Sequence, residues 1–261
     1  MLQIVVPMAG RGSRFATAGY ALPKPLITVQ GVPMIQLVIA NLRPRQPHRF
    51  VFLCLQEHLE QYPTEEILRQ LAPDCEIVPV AGVTQGAACT VLLAKQHIDG
   101  SDSLMIANSD QWVDYPIDDY LAALDREKLD GLIMTMTAND PKWSFVRLGT
   151  ERLVTEVVEK QVISDEATVG IYNFRRGSDF VAAAERMIEC NLRVNNEFYV
   201  APTYNQLIAD GRRISYVNVG SEAHGMYGLG IPEDLRLFES LDVCAKAVAA
   251  AHNYRRYWRA A

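Results

Sequence analysis

The sequence predicts an α/β protein built on a doubly wound, mainly parallel mixed sheet, with a small β-rich lobe. Three observations predict it. Short apolar runs alternate with amphipathic stretches of helical period from the N-terminus to Asn108. The helical stretches are long enough, roughly 10–15 residues, to act as crossovers between parallel strands. From about Asp130 the pattern changes to closely spaced short strands joined by turns.

Residues 2–6 form the first strand, an apolar run ended by Pro7. Residues 33–42 are helical, with Pro33 in the first turn and Met34, Leu37, Val38 and Asn41 at helical spacing. A second buried strand covers 49–55. Thr64 with Glu65 and Glu66 behind it is a helix start, so 64–71 is helical. Strand 76–80, helix 86–96 and strand 103–108 continue the alternation. The lobe follows as strands 131–137, 145–148, 153–159 and 168–174, and residues 178–189, 201–209 and 234–257 are helical. The sheet is expected to be continuous, with the lobe inserted in it or appended to it. Ligands of such sheets bind outside the carboxyl ends of the strands, which directs attention to the loops after Val6 and Asn108.

The chain has 261 residues, 49% hydrophobic and 21% charged, with a formal net charge of -6. A core of this size buries roughly three quarters of the unfolded surface and needs no disulfides. The acidic balance argues against a general nucleic-acid binder, which would carry a basic stripe. Cys54, Cys75, Cys89, Cys190 and Cys244 show no metal-ligand spacing and read as reduced thiols. Met1 leads straight into an apolar strand with no basic leader, and no run approaches the ~20 apolar residues of a membrane span. A cytoplasmic protein that binds neither membrane nor nucleic acid is expected.

Pro7-Met8-Ala9-Gly10-Arg11-Gly12-Ser13-Arg14-Phe15 follows the first strand directly. Glycines there let backbone N–H groups converge on phosphate oxygens, and Arg14 can engage two such oxygens at once. It is neither a Walker loop nor a dinucleotide fingerprint: no Gly-Lys-Ser/Thr follows, and the third glycine is missing. Ten residues after Arg14, Lys24 stands between Pro23 and Pro25. Prolines on both sides restrict its backbone, which suits an ammonium held for transition-state charge. Asn108-Ser109-Asp110 closes a strand beside this loop, and its carboxylate is a natural Mg²⁺ ligand.

These motifs, with Gly230-Ile231-Pro232-Glu233-Asp234-Leu235 near the end, resemble the sugar nucleotidyltransferases, the nucleoside diphosphate-sugar pyrophosphorylases. The resemblance implies a Rossmann-like nucleotidyltransferase fold, also described as GT-A-like. It implies transfer of a nucleoside monophosphate from a nucleoside triphosphate to a sugar 1-phosphate or similar phosphorylated metabolite, with release of pyrophosphate, in activated-sugar and cell-surface polysaccharide biosynthesis. By that resemblance Arg14 and Lys24 are catalytic. Ala9, Gly10, Arg11, Gly12, Ser13 and Ser109, together with Gly86 and Ala87 of a base-reading loop, bind the nucleotide. Asp110 binds Mg²⁺, the cofactor. Ser144, Glu159, Lys160, Gly170 and Glu197 bind the acceptor, and Trp143 stands beside them.

Two positions depart from the pattern. Gly228 occupies the place of a second metal ligand and has no side chain to offer. Ala81 stands where a base-reading glutamine is usual, which leaves the base open, with a pyrimidine slightly favoured. One domain over 1–261 is expected, with a nucleotide-binding part (1–130), an acceptor-binding part (131–235) and a C-terminal helix (236–261). The alanine-rich stretch 241–257, with Arg255, Arg256 and Arg259, either packs on the sheet or mediates a homo-oligomer. The rival readings are a nucleotide-sugar-dependent glycosyltransferase and a non-catalytic nucleotide-sugar binding protein. Pyrophosphate release separates both from the transferase, and the Gly-Arg-Gly-Ser-Arg loop disfavours the first, whose donor has no γ-phosphate.

Overall fold

The computed structural model describes residues 1–258, with side chains as far as Asn253. In chain order the strands are β1 (Leu2–Met8), β2 (Thr28–Val29), β3 (Val32–Pro33), β4 (His48–Leu55), β5 (Glu76–Val80), β6 (Ser103–Ala107), β7 (Gln111–Val113), β8 (Gly131–Thr137), β9 (Ser144–Leu148), β10 (Val154–Glu159), β11 (Glu166–Phe174), β12 (Ile214–Glu222) and β13 (Gly225–Gly228). β2 and β3 pair only with each other. The other eleven form one sheet in the order β5-β4-β1-β6-β11-β8-β12-β13-β7, with the β9–β10 hairpin joined through β11.

β5, β4, β1 and β6 are all parallel. After β1 the chain builds outward through β4 and β5, then returns to place β6 on the other side of β1. Where strand order reverses, the connections leave a crevice at the carboxyl ends of the two central strands. Met8 and Ala107 are those ends. β11 then runs antiparallel to β6 and to β8, which makes the sheet mixed.

Both faces of the sheet are covered, which is why β1 reads as a nearly unbroken apolar run. Leu2, Ile4, Val6 and Met8 pack on one face with helices Met34–Leu42, Thr64–Leu71 and Ile117–Arg126. Val5 joins the opposite core, where Val91, Phe180, Val181 and Leu207 come from helices Ala87–Leu92, Gly177–Glu189 and Tyr204–Ala209. Among the described residues no helix is long and apolar enough to cross a membrane, and all five cysteines are unpaired.

Several expected elements differ in detail. Helix 86–96 is two helices, Ala87–Leu92 and Lys95–Ile98. Between them Leu93 N–H bonds Thr90 O and Ala94 N–H bonds Val91 O, three residues back, which tightens the chain and ends the α pattern. Segment 234–257 is also divided, into Pro232–Ser240 and Asp242–Trp258. The Ser240 hydroxyl donates to Leu237 O at 2.7 Å, competing locally with helix continuation. The second of these helices packs on Met34–Leu42 of the same chain through Cys244, Ala247 and Ala251. The side chains of Arg255 and Arg256, and all of Arg259, lie outside the described residues.

β7, β12, β13 and helix Ile117–Arg126 were not anticipated. The helix carried a signal all the same, with Pro116 ahead of it and Asp118 and Asp119 in its first turn.

Candidate active site

The turn after β1 brings Met8, Ala9 and Gly10 to the rim of the crevice. Gly12 adopts φ 61°, ψ 32° and opens a single helical turn, Ser13–Thr17. This left-handed conformation suits glycine, and a Cβ there would stand 3.2 Å from Cβ of Lys24. The glycine therefore lets the loop and the Lys24 turn touch. Pro23 holds an extended φ of −60° and ψ of 146°, and Lys24 begins a short 3₁₀ turn closed by Leu26 N–H to Pro23 O at 2.8 Å. The turn aims the ammonium across the crevice, where Lys24 Nζ meets Asp110 Oδ2 at 2.7 Å.

Asp110 is fixed from both sides. Its carbonyl accepts from Leu229 N–H at 2.8 Å, while Asn108 N–H bonds Gly170 O at 3.0 Å. The resulting cleft of about 320 Å³ is lined by Met8, Ala9, Gly10, Lys24, Thr84, Gly86, Ala87, Thr90, Asn108, Ser109, Asp110 and Glu197, among others.

A second cavity of about 210 Å³ adjoins it, and Ala87 and Asn108 line both. Its other walls include Lys142, Trp143, Ser144, Glu159, Gly170, Tyr172 and Tyr199. The Glu159 carboxylate is buried and accepts a hydrogen bond from the Ser144 hydroxyl. Burial pushes its carboxyl above the ordinary range, opposed by Ser144 and by the nearby Lys160 ammonium. Lys160 has a left-handed backbone (φ 56°), uncommon for a residue with a side chain. Its N–H bonds Trp143 O at 3.0 Å, and its ammonium lies 3.5 Å from Glu159 Oε1 and 5.3 Å from the centre of the Tyr199 ring.

The sequence-derived set is thus brought together in part. Ala9, Gly10, Lys24, Gly86, Ala87, Ser109 and Asp110 share the first cleft, and Ser144, Glu159 and Gly170 share the second. Glu197, expected with the acceptor set, lines the first cleft instead. Arg11, Ser13 and Arg14 are exposed beyond the cleft lining, and no hydrogen bond or ion pair engages either guanidinium among the described residues.

Two glycines have packing roles besides lining the cavities. A Cβ on Gly86 would stand 2.4 Å from Phe198 O, so its absence lets the 83–88 loop pack against the backbone that carries Glu197. A Cβ on Gly170 would stand 2.1 Å from Asn108 Nδ2, so that glycine makes room for the Asn108 amide. Asn108, Thr84, Thr90, Lys142 and Tyr199 were not singled out as site residues. Asn108 stands beside Ser109 and Asp110, Lys142 beside Trp143, and Tyr199 two residues after Glu197, so each had a signal in its place in the chain.

Residues 4–210 match the protein family described as Nucleotidyl transferase. The chain belongs to that family. Among solved structures, this nucleotidyl transferase is similar to the nucleoside-diphosphate-sugar pyrophosphorylase from Vibrio cholerae RC9, at 27% identity and a TM-score of 0.76 over 91% of this chain and 100% of the other. It shares its fold with a putative glucose-1-phosphate thymidylyltransferase from Bacillus anthracis, at 16% identity and TM-score 0.70 over 93% and 97% of the two chains. It shares it too with the inositol-1-phosphate CTP transferase from T. maritima, at 13% identity and TM-score 0.71 over 95% of each chain. A search of curated proteins finds no match. The mixed, largely parallel sheet with helices on both faces is the fold of these transferases, as the sequence pattern predicted.

Proposed function

We propose that this nucleotidyl transferase moves a nucleoside monophosphate from a nucleoside triphosphate to a sugar 1-phosphate or similar phosphorylated metabolite, releasing pyrophosphate, in the reducing cytoplasm. One observation carries the reading: Lys24 and Asp110 meet in a cleft that shares Ala87 and Asn108 with a second cavity, whose walls carry Lys142, Ser144 and Glu159. A two-substrate transfer needs such an arrangement, with opposite charges in one pocket and a second pocket beside it.

The residues fit a Mg²⁺ ion. Gly230 leaves open the space beside Asp110, since a Cβ there would stand 2.9 Å from Oδ2. Among the described residues no three His, Cys, Asp or Glu side chains are grouped to hold a metal. That accords with Mg²⁺, which takes one or two carboxylates and completes its shell with phosphate oxygens and water. Asp110 would hold the ion, which when bound neutralises charge on the phosphates.

The remaining chemistry belongs to the chain. Backbone N–H groups of the 9–13 loop and the Arg14 guanidinium receive the β- and γ-phosphates. Lys24 turns its ammonium from Asp110 toward the α-phosphate. Glu159 and Ser144 accept and orient acceptor hydroxyls, and Lys160 holds the acceptor's phosphate. A phosphate oxygen of the acceptor then attacks the α-phosphorus in line, the bond from α-phosphorus to the bridging oxygen breaks, and pyrophosphate departs. The nucleophile is already ionised near neutral pH, its second pKa being about 6, so no base is required. None of the five histidines lines either cavity, in keeping with that.

The test is incubation with Mg²⁺, each nucleoside triphosphate and a panel of phosphorylated sugars and polyols. Pyrophosphate release that requires both substrates is expected. Transfer from a nucleoside diphosphate sugar without pyrophosphate, or binding without turnover, overturns the reading.

A further inference from the structure

β11 carries a polar residue in its buried stretch: Asn173, at 0% exposure, stands between Tyr172 and Phe174. Successive residues of a strand face opposite sides. Tyr172 and Phe174 join the core beneath helices Gly177–Glu189 and Tyr204–Ala209, and Ile171 joins the other. Asn173 therefore faces the side that helix Ile117–Arg126 covers. Its backbone carbonyl accepts from the Tyr204 hydroxyl at 2.8 Å. Its side chain is another matter: Oδ1 and Nδ2 are both buried with no hydrogen-bond partner among the described residues. An asparagine amide presents an acceptor and two donors, and a buried one left unpaired is costly. Leucine would fill the same space without that cost.

Asn173 lines a cavity of about 270 Å³ at the end of the sheet away from the active cleft. Leu2 and Ser103 line it too; they begin β1 and β6 and stand opposite each other in the register. Six residues of β1, about 20 Å of strand, separate Leu2 from Met8 at the cleft. Helix Ile117–Arg126 forms the facing wall with Asp118, Leu121, Leu124 and Asp125. No residue of this crevice lines either cavity of the active site. A single water takes about 10–15 Å³ of such a space, and the crevice is larger than the acceptor cavity of about 210 Å³.

The lining selects the ligand's chemistry. Among the described residues no lysine, arginine or histidine lines the crevice, so an anion finds no counter-charge there. Both carboxylates are already matched: Asp118 Oδ1 accepts from Arg45 N–H at 2.9 Å, and Asp125 Oδ1 from Arg175 Nη1 at 3.0 Å. A bare cation could not pair the Asn173 amide donors, and an apolar molecule could pair none of its atoms. A hydroxyl both donates and accepts. We infer that this crevice binds an uncharged polyhydroxylated molecule, a sugar or polyol, with the Asn173 amide as its anchor. Hydroxyls of the ligand meet Asn173 and Ser103, and its C–H face packs on Leu121 and Leu124.

The experiment follows the side-chain NH₂ pair of Asn173 in ¹⁵N–¹H spectra of the full-length protein. The pair is assigned by its loss from Asn173→Leu or, should leucine unsettle the core, from Asn173→Asp. Glycerol and myo-inositol serve as free polyols, D-glucose and maltose as saccharides, and inorganic phosphate as an anion. A saturable shift of the pair with at least one uncharged probe is expected, and none with phosphate. Ser103→Ala should raise the Kd for that probe about three- to tenfold, the scale of one hydrogen bond. Ser144→Ala, in the acceptor cavity, should leave that Kd unchanged. A pair that no uncharged probe moves overturns the inference, the crevice then holding water only. So does a shift that phosphate produces, that Ser103→Ala leaves at full affinity, or that Ser144→Ala removes. Neither nucleotide nor turnover enters the measurement, so the crevice and the proposed reaction stand or fall separately.

Discussion

Lys24 Nζ lies 2.7 Å from Asp110 Oδ2, joining segments 86 residues apart. Both side chains are partly buried, at 17% and 27% relative exposure, and each is the other's ion-pair partner. The two side chains neutralise each other within the cleft.

Lys24→Ala should therefore cut turnover by about a hundred- to thousandfold, the scale for one lost transition-state donor. Its stability should change by about 1 kcal/mol or less, as befits a partly exposed ion pair. Asp110→Asn should remove metal-dependent activity with similarly little effect on folding. Steady-state pyrophosphate release and thermal denaturation measure the two quantities separately. An Lys24→Ala enzyme of normal turnover takes Lys24 out of the mechanism.

Arg14 is exposed, with no hydrogen bond or ion pair to its guanidinium. Arg14→Ala should leave the melting temperature unchanged. A hydrogen bond to a charged group contributes about 1.5–3 kcal/mol, so kcat/KM for the triphosphate should fall roughly 10- to 100-fold. Unchanged kcat/KM at low salt would falsify its phosphate-binding role.

Gly170→Ala tests the seam between the cavities. The residue has φ 78°, and a Cβ would strike Asn108 Nδ2 at 2.1 Å. Backbone strain alone costs on the order of 1–3 kcal/mol. Displacing Asn108 should raise KM for nucleotide and acceptor together, because that amide borders both spaces. Chemical denaturation and two-substrate kinetics report the two effects, and a rise confined to one substrate contradicts the placement of Asn108.

Glu159 sets a pH dependence. Its carboxyl is raised in the folded state, chiefly by burial. A raised carboxyl disfavours folding where it must ionise, so the cost is present above its folded pKa and fades as pH falls through that value toward the unfolded one. Glu159→Gln should accordingly be more stable than the parent at neutral pH, with the difference shrinking as pH falls into the ordinary carboxylate range. Its KM for acceptor should rise. Denaturation at several pH values checks the sign, and a stability difference that grows on acidification is incompatible with a raised carboxyl.

Much of this protein was legible without coordinates, because local physics decides it. Apolar runs and helical periods set β1, β4, β5, β6 and β8 to within about two residues, since strands largely covered on both faces, such as β1, β4 and β6, read as near-continuous apolar runs. The Gly10–Arg14 loop, Lys24 between its prolines, and Asp110 at a strand end were each visible as chemistry in search of a partner. That Lys24 and Asp110 touch was not visible. Nor was it visible that Glu197 belongs to the first cleft, that Gly86 serves the Phe198 backbone, or that Gly170 serves Asn108.

Sequence by itself determined the alternation of elements, the family resemblance and the residue types at the phosphate-handling loops, all properties of short stretches of chain. Tertiary structure alone decided which side chains meet. Gly228 shows why. In sequence it is an absent ligand with no named substitute. In space the carboxylate of Asp234 stands beside it, at 3.1 Å from where its Cβ would be, carried there by the turn from β13 into the next helix. Contacts between elements depend on how strands order and helices pack, and no local pattern encodes a distance across the sheet.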